Sequence, residues 1–190
     1  MNQKELLEIF KETGAILEGH FLLSSGKHSG GYVQCAKVLS FPEKAELVVS
    51  EVVEKIKNLK FDYFVGPAMG GVIPAYEFGR QMKRKALFTE RKDNEMCLRR
   101  GFEITAGDRV IIAEDVITTG KSTMEVKNLL ESLGAEVVAA VCLVDRGGSQ
   151  ALDFEVYSAV KADISVYEPD QCPMCKNGIP WEKPGSRKIT

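Results

Sequence analysis

Apolar positions along this chain follow two rhythms. Leu6, Leu7, Ile9 and Phe10 fall at helical spacing, and Gly14 stands where such a helix would end, which predicts a helix over 3–13. Residues 15–24 and 32–39 read as strands around a polar turn, Ser25-Gly26-Lys27-His28-Ser29-Gly30-Gly31. This opening piece breaks the pattern of the rest and is expected to form a small hood. Pro42 then opens a helix to about residue 59, with Ala45, Val48, Val49, Val52, Val53 and Ile56 on one face. From there strands and helices alternate. Strand 61–66 leads through Pro67-Ala68-Met69-Gly70-Gly71 to a helix ending near residue 83. A strand at 86–90 follows, then a polar stretch 91–100 and a short strand near 102–104. The unbroken apolar run Val110-Ile111-Ile112-Ala113 reads as a central strand buried on both faces. A helix with Val126, Leu129, Leu130 and Leu133 stops at Gly134. Strands at 136–145, 154–160 and 163–167 close the pattern.

Such alternation predicts an α/β fold, a central mostly parallel sheet flanked by helices, with the hood beside it. The expected organisation is one domain: helix and hood over 1–41, α/β core over 42–167, irregular tail over 168–190. At 190 residues the chain is long enough for one full core. A net charge of −2 gives no reason to expect nucleic acid or a membrane as partner. No apolar run approaches the ~20 residues of a spanning helix. The amphipathic start MNQKELLEIFKETG has no signal-peptide core, which predicts a cytoplasmic protein. Five scattered cysteines read as free thiols of a reducing compartment.

Candidate chemistry concentrates in VIIAEDVITTGKST, residues 110–123. Two acids, Glu114 and Asp115, end the central strand. Val116 and Ile117 follow, then the loop Thr118-Thr119-Gly120-Lys121-Ser122, then a helix. Ligands of parallel sheets bind beyond the carboxyl ends of strands, and a helix start there suits a phosphate. Two carboxylates would repel that phosphate. They suit hydroxyls or a divalent cation instead. A ribose 5-phosphate meets both demands. Gly120-Lys121-Ser122 imitates the end of a nucleotide-triphosphate loop, but the first glycine of that motif would fall at Asp115, so that reading is rejected.

This stretch resembles the phosphoribosyl-pyrophosphate (PRPP) signature of the type I phosphoribosyltransferases, with Glu114 where most members carry aspartate. The resemblance implies that Glu114 and Asp115 hold the ribose hydroxyls. It also implies that the stretch from Val116 through Ile117 and Thr118 to Ser122 forms the rest of the PRPP site, with Asp115 also counted as catalytic. Magnesium is the implied cofactor, carried by PRPP and reached by the two acids, with no other protein ligand expected. Two further stretches are similar to orotate-specific members. By itself, Lys27 in its turn is either solvated or placed for an anion. FLLSSGKHSGGYVQ resembles their amino-terminal segment, in which Lys27 takes the position of a basic residue near substrate. Arg146, in Asp145-Arg146-Gly147-Gly148, could equally be a surface arginine, but it matches an arginine that contacts orotate. Thr118 is the third residue implied at the base.

Gly66-Pro67-Ala68 matches a pyrophosphate loop, with Met69-Gly70 standing where many members have a lysine. Residues 80–100 carry eight basic side chains against three acidic ones. The resemblance makes 91–100 a mobile loop over pyrophosphate, with Arg91 the first candidate for the catalytic cation and Lys92 the second. The same resemblance implies a homodimer. A phosphoribosyltransferase for another base, or a PRPP-sensing regulator without catalysis, are the alternatives. His20 and His28 are assigned to structure, since there is no other histidine to complete a metal site. Cys172-Pro173-Met174-Cys175 is half a zinc site; docking of the tail is the expectation, and zinc shared across a dimer the alternative.

Overall fold

A computed structural model describes residues 1–23, 25–162 and 164–183. Asn2 caps helix α1 (Gln3–Glu12) in a reciprocal box with Glu5, and the helix buries Leu6, Ile9 and Phe10. Strands β1 (Ile16–Leu22) and β2 (His28–Val33) form an antiparallel pair. The expected strand 32–39 is corrected here. It ends at Val33, and Cys35–Leu39 is a short helix, α2, whose buried Cys35, Val38 and Leu39 share one helical face. Ser24 of the expected first strand lies outside the described residues. Pro42 begins α3 (Pro42–Ile56), which turns Ala45, Val48, Val49, Val52 and Ile56 inward.

The core then alternates β3 (Tyr63–Pro67), α4 (Val72–Met82), β4 (Lys85–Lys92), β5 (Glu95–Leu98), β6 (Arg109–Ile117), α5 (Lys121–Ser132), β7 (Glu136–Asp145) and β8 (Val156–Lys161). A single 3₁₀ turn, Gly148–Ala151, follows β7. The polar stretch 91–100 is corrected to the tip and second arm of a β4–β5 hairpin, and 102–104 is not a strand. Asp93 and Asn94 form its two-residue turn with φ of 51° and 67°. A tight hairpin turn requires two such residues, and Asp and Asn tolerate that conformation.

The six strands lie in the order β5-β4-β3-β6-β7-β8, parallel except for β5. Alternate residues of the central strands face opposite layers. Phe64, Ile111 and Ala113 pack with α1, α3 and α4, whereas Val65, Val110 and Ile112 pack with Val126 and Leu130 of α5. From β3 the chain moves outward to β4, and from β6 it moves the other way to β7. A crevice therefore opens beyond the carboxyl ends of β3 and β6, where strand order reverses.

Strand β9 (Val166–Tyr167) pairs with β2, so the hood is a three-stranded sheet, β1-β2-β9, that includes residues assigned to the core by sequence. Asp163, in the predicted strand 163–167, lies outside the described residues. The tail is not wholly irregular. It forms a short helix, α6 (Pro173–Lys176), and returns along β1, where Leu22 N–H donates to Glu182 O and Glu182 N–H to His20 O, each at 2.8 Å. This return brings Cys172 and Cys175 close to the rings of His20 and His28, the two histidines that the sequence reading assigns to structure.

Candidate active site

Strand β6 delivers its two acids to the crevice at different depths. Glu114 is 4% exposed, and its Oε1 accepts from the hydroxyls of Ser122 at 2.6 Å and Thr123 at 3.5 Å. Burial pushes its pKa up to about 8; the Ser122 hydroxyl opposes this and the neighbouring Asp115 adds to it. Asp115 Oδ1 accepts from Val116 N–H at 2.8 Å, and burial raises its pKa as well. Among the described residues no basic side chain offsets either shift. The carboxylate of Asp115 rests against the loop after β3. A Cβ on Gly70 would lie 2.6–2.8 Å from its atoms, so any side chain there would have to displace the carboxylate.

A proton on Glu114 has a consequence for stability. The native chain holds it up to about pH 8, whereas the unfolded chain releases it near the ordinary value of 4.5. The native state therefore binds more protons across this window, and stability falls as pH rises from about 4.5 through 8. Asp115 acts in the same direction. In urea unfolding from pH 5 to 9, Glu114→Gln is expected to lose less stability than the parent as pH rises. Parallel pH profiles would contradict the burial of an acid whose hydroxyl partners only partly offset its desolvation.

Beyond the acids the backbone is unusually bare. Gly120 caps α5 at φ 72°, and the first helical hydrogen bond runs from Met124 N–H to Gly120 O. The amides of Thr118, Thr119, Gly120, Lys121, Ser122 and Thr123 have no backbone acceptor among the described residues; Lys121 N–H reaches Thr119 Oγ1 at 3.4 Å. A run of free N–H groups at a helix start binds an anion, and the helix dipole adds to it. Thr118, Thr119 and Lys121 are exposed, and Ile117 is buried.

Arg146 joins this cradle through its backbone, its N–H donating to Ile117 O at 2.9 Å. Asp145 staples the turn by accepting from the amides of Gly147 and Ser149 and from the Ser149 hydroxyl, at 3.0, 3.3 and 2.5 Å. The guanidinium is half-buried, and burial lowers its pKa. Nη2 donates to Ser29 Oγ of the hood at 3.4 Å, while buried Nε has no partner among the described residues. An unpaired buried donor on a cation is costly, and a carboxylate ligand satisfies it.

The remaining sequence candidates lie on the rim. Lys27 is exposed and pairs with Glu168 at 2.6 Å, a surface contact that a ligand can displace at little cost. Arg91 pairs with Glu125 of α5, and Lys92 is exposed at the hairpin end. The structure thus gathers Glu114, Asp115, the 118–122 loop and Arg146, whereas Arg91, Lys92 and Lys27 engage other acids or solvent. Sequence reasoning missed Ser122 as the partner of Glu114, Ser29 beside Arg146, and the stapling role of Asp145. An aspartate before Arg-Gly-Gly-Ser is a turn signal that could have found the last. A cavity of about 640 Å³ lined by Asp62, Tyr63, Lys85 and Asp108 lies at the amino ends of the strands, opposite the crevice.

A model of the phosphoribosyl transferase domain matches residues 42–174. The chain is 51% identical, over the whole of both sequences, to an orotate phosphoribosyltransferase of Caldanaerobacter subterraneus subsp. tengcongensis. The crystal structure of orotate phosphoribosyltransferase from Aeropyrum pernix matches with a TM-score of 0.73 and 25% identity, covering 82% of this chain and 93% of that one. Adenine phosphoribosyltransferase from Thermoanaerobacter pseudethanolicus shares the fold at a TM-score of 0.61 and 18% identity, over 70% of this chain and 88% of that one. Fold alone therefore does not choose the base.

Proposed function

The chain belongs to the phosphoribosyltransferase family, and from that premise we propose that it transfers the 5-phosphoribosyl group of PRPP to orotate, giving orotidine 5′-monophosphate and pyrophosphate. The observation that carries this reading is one crevice holding two desolvated carboxylates, a run of free amides beyond them, and a half-buried arginine with an unpaired donor. The amides of 118–122 bind the 5-phosphate, and Glu114 and Asp115 bind the ribose hydroxyls. Arg146 and Lys27 bind the orotate carboxylate, with Thr118 at the edge of the base.

In the reaction the bond from the anomeric carbon to a pyrophosphate oxygen breaks. A bond to a ring nitrogen of orotate forms, and that nitrogen gives up its proton. Positive charge builds on the ribose beside Asp115, whose field stabilises it. No protein nucleophile is required. The two acids, lacking a cation to offset their burial, are a fitting hard-oxygen set for magnesium, which when bound with PRPP supplies charge neutralisation to the departing pyrophosphate. Arg91 and Lys92, on a hairpin whose tip is exposed, supply further positive charge to pyrophosphate once Glu125 releases Arg91. We also read the protein as a cytoplasmic homodimer. Support comes from the exposed Met69, Ile73 and Tyr76 beside the crevice and from five free thiols. No helix among the described residues is long and apolar enough to cross a membrane.

The test is product formation from PRPP, magnesium and a panel of bases, with Arg146→Ala alongside the parent. Orotate alone is expected to be consumed at an appreciable rate. Loss of a charged hydrogen bond of ~1.5–3 kcal/mol should raise the orotate KM roughly ten- to hundredfold in the variant. PRPP binding should stay within about twofold, because Arg146 contacts the cradle through backbone only. Preference for another base, or equal loss for both substrates, would defeat the assignment. PRPP binding without turnover of any base would mark a sensor instead.

A further inference from the structure

We propose that His20, His28, Cys172 and Cys175 form a structural zinc site within one chain, fastening the tail to the hood. The register of the hood makes the histidine pair. Leu22 faces His28 across the β1–β2 ladder, and a register shift between Glu18 and Phe21 falls at His20, whose ring lies against that of His28. Their ring centroids are 4.7 Å apart. The tail supplies the sulfurs from one turn, with Cys172 at the start of α6 and Cys175 within it.

The four ligand atoms all lie within 4.8 Å of one another. Cys172 Sγ is 3.4 Å from His20 Nε2, and Cys175 Sγ is 3.8 Å from that atom and 3.2 Å from His28 Nδ1. Tetrahedral zinc with bonds of about 2.05 Å to nitrogen and 2.3 Å to sulfur separates nitrogen from sulfur by about 3.5 Å, close to these values. The two ring nitrogens stand 2.6 Å apart, linked by a hydrogen bond. Insertion of the ion requires them to part to about 3.3 Å.

A second contact prepares the site. His20 Nδ1 lies 2.7 Å from Ile179 O, and a carbonyl oxygen only accepts, so the proton is on Nδ1 and the lone pair of Nε2 faces the cluster. Metal-bound histidines are commonly oriented by such a bond. Two thiolates and two imidazoles favour zinc over the hard-oxygen preference of magnesium, so this site is chemically separate from the crevice. Four protein ligands leave no open position, which makes the role structural. The clamp bears on the crevice indirectly: β2 carries Ser29 to Arg146, and Glu168, ahead of Cys172, holds Lys27.

The test uses the full chain stripped of metal and titrated with cobalt(II) as a spectroscopic stand-in for zinc. Expected are thiolate-to-cobalt charge-transfer bands and tetrahedral d–d bands that saturate at one ion per chain. The chain has one tryptophan, Trp181, with its ring 6.5 Å from that of His28, and its fluorescence should fall in step. Cys175 is exposed, so Cys175→Ser should fold normally yet weaken binding roughly a hundredfold or more. Zinc analysis of the untreated protein should return about one equivalent for the parent and far less for the variant. Absence of thiolate bands at saturating cobalt would overturn the proposal, as would saturation at half an ion per chain or unchanged binding by Cys175→Ser.

Discussion

Replacing Asp115 with asparagine is expected to lower kcat/KM for PRPP and orotate about a hundredfold or more while leaving the folded state as stable as before. The amide side chain would keep the size of the original and one oxygen to accept the Val116 N–H, so local geometry should survive. What disappears is charge. A hydrogen bond from a ribose hydroxyl to a charged acceptor contributes ~1.5–3 kcal/mol. Stabilisation of the positive charge that develops on the sugar adds to it. Folding should not suffer, because burial penalises this charge more than the backbone amides, Val116 N–H among them, offset it. Steady-state kinetics and thermal unfolding check both halves. Activity within about threefold of the parent, or a fall in activity matched by loss of fold, would remove Asp115 from the role given to it.

The second large effect is expected at Gly148, which lies outside the PRPP-like stretch. A Cβ there would come within 2.6 Å of the Thr118 carbonyl carbon, 2.7 Å of its oxygen and 2.9 Å of Ile117 Cγ2. Two of those atoms belong to the backbone of the phosphate cradle and cannot rotate aside. Gly148→Ala must therefore push the 118–122 loop and the Arg146 turn apart. Overpacking of this kind costs about 1–3 kcal/mol in stability. The functional loss should be larger and of a different kind from that of Arg146→Ala. The KM for PRPP and the KM for orotate should both rise, each by roughly tenfold or more, because misplacement of about 1 Å is enough to impair positioned groups. Loss confined to orotate would mean that the two loops do not move together.

Physical reasons separate what could be read from the chain and what could not. Val110-Ile111-Ile112-Ala113 has no polar alternation, and a strand with both faces covered is the arrangement that suits it; β6 is that strand. The acids and the glycine-bearing loop follow in covalent order, so their placement needed no long-range information. Arg91 was less tractable. Its partner Glu125 sits 34 residues on, and the tight Asp93-Asn94 turn that makes the hairpin was obscured by the density of charge around it. The same limit applies to Ser29, 117 residues from Arg146 and brought to it by the hood. His20 and Cys172 are 152 residues apart, and their meeting depends on a tail that runs back along β1. Local pattern carries no trace of such a return.

The proposed reaction rests on one crevice gripping a ribose by its hydroxyls and its 5-phosphate at once. A crystal structure of the protein with PRPP and magnesium tests this most directly. Expected is the 5-phosphate within hydrogen-bonding distance of the amides of 118–122, with the ribose hydroxyls on Glu114 and Asp115. A sugar phosphate lodged in the cavity beside Asp62, Tyr63 and Asp108, at the opposite ends of the strands, would contradict it.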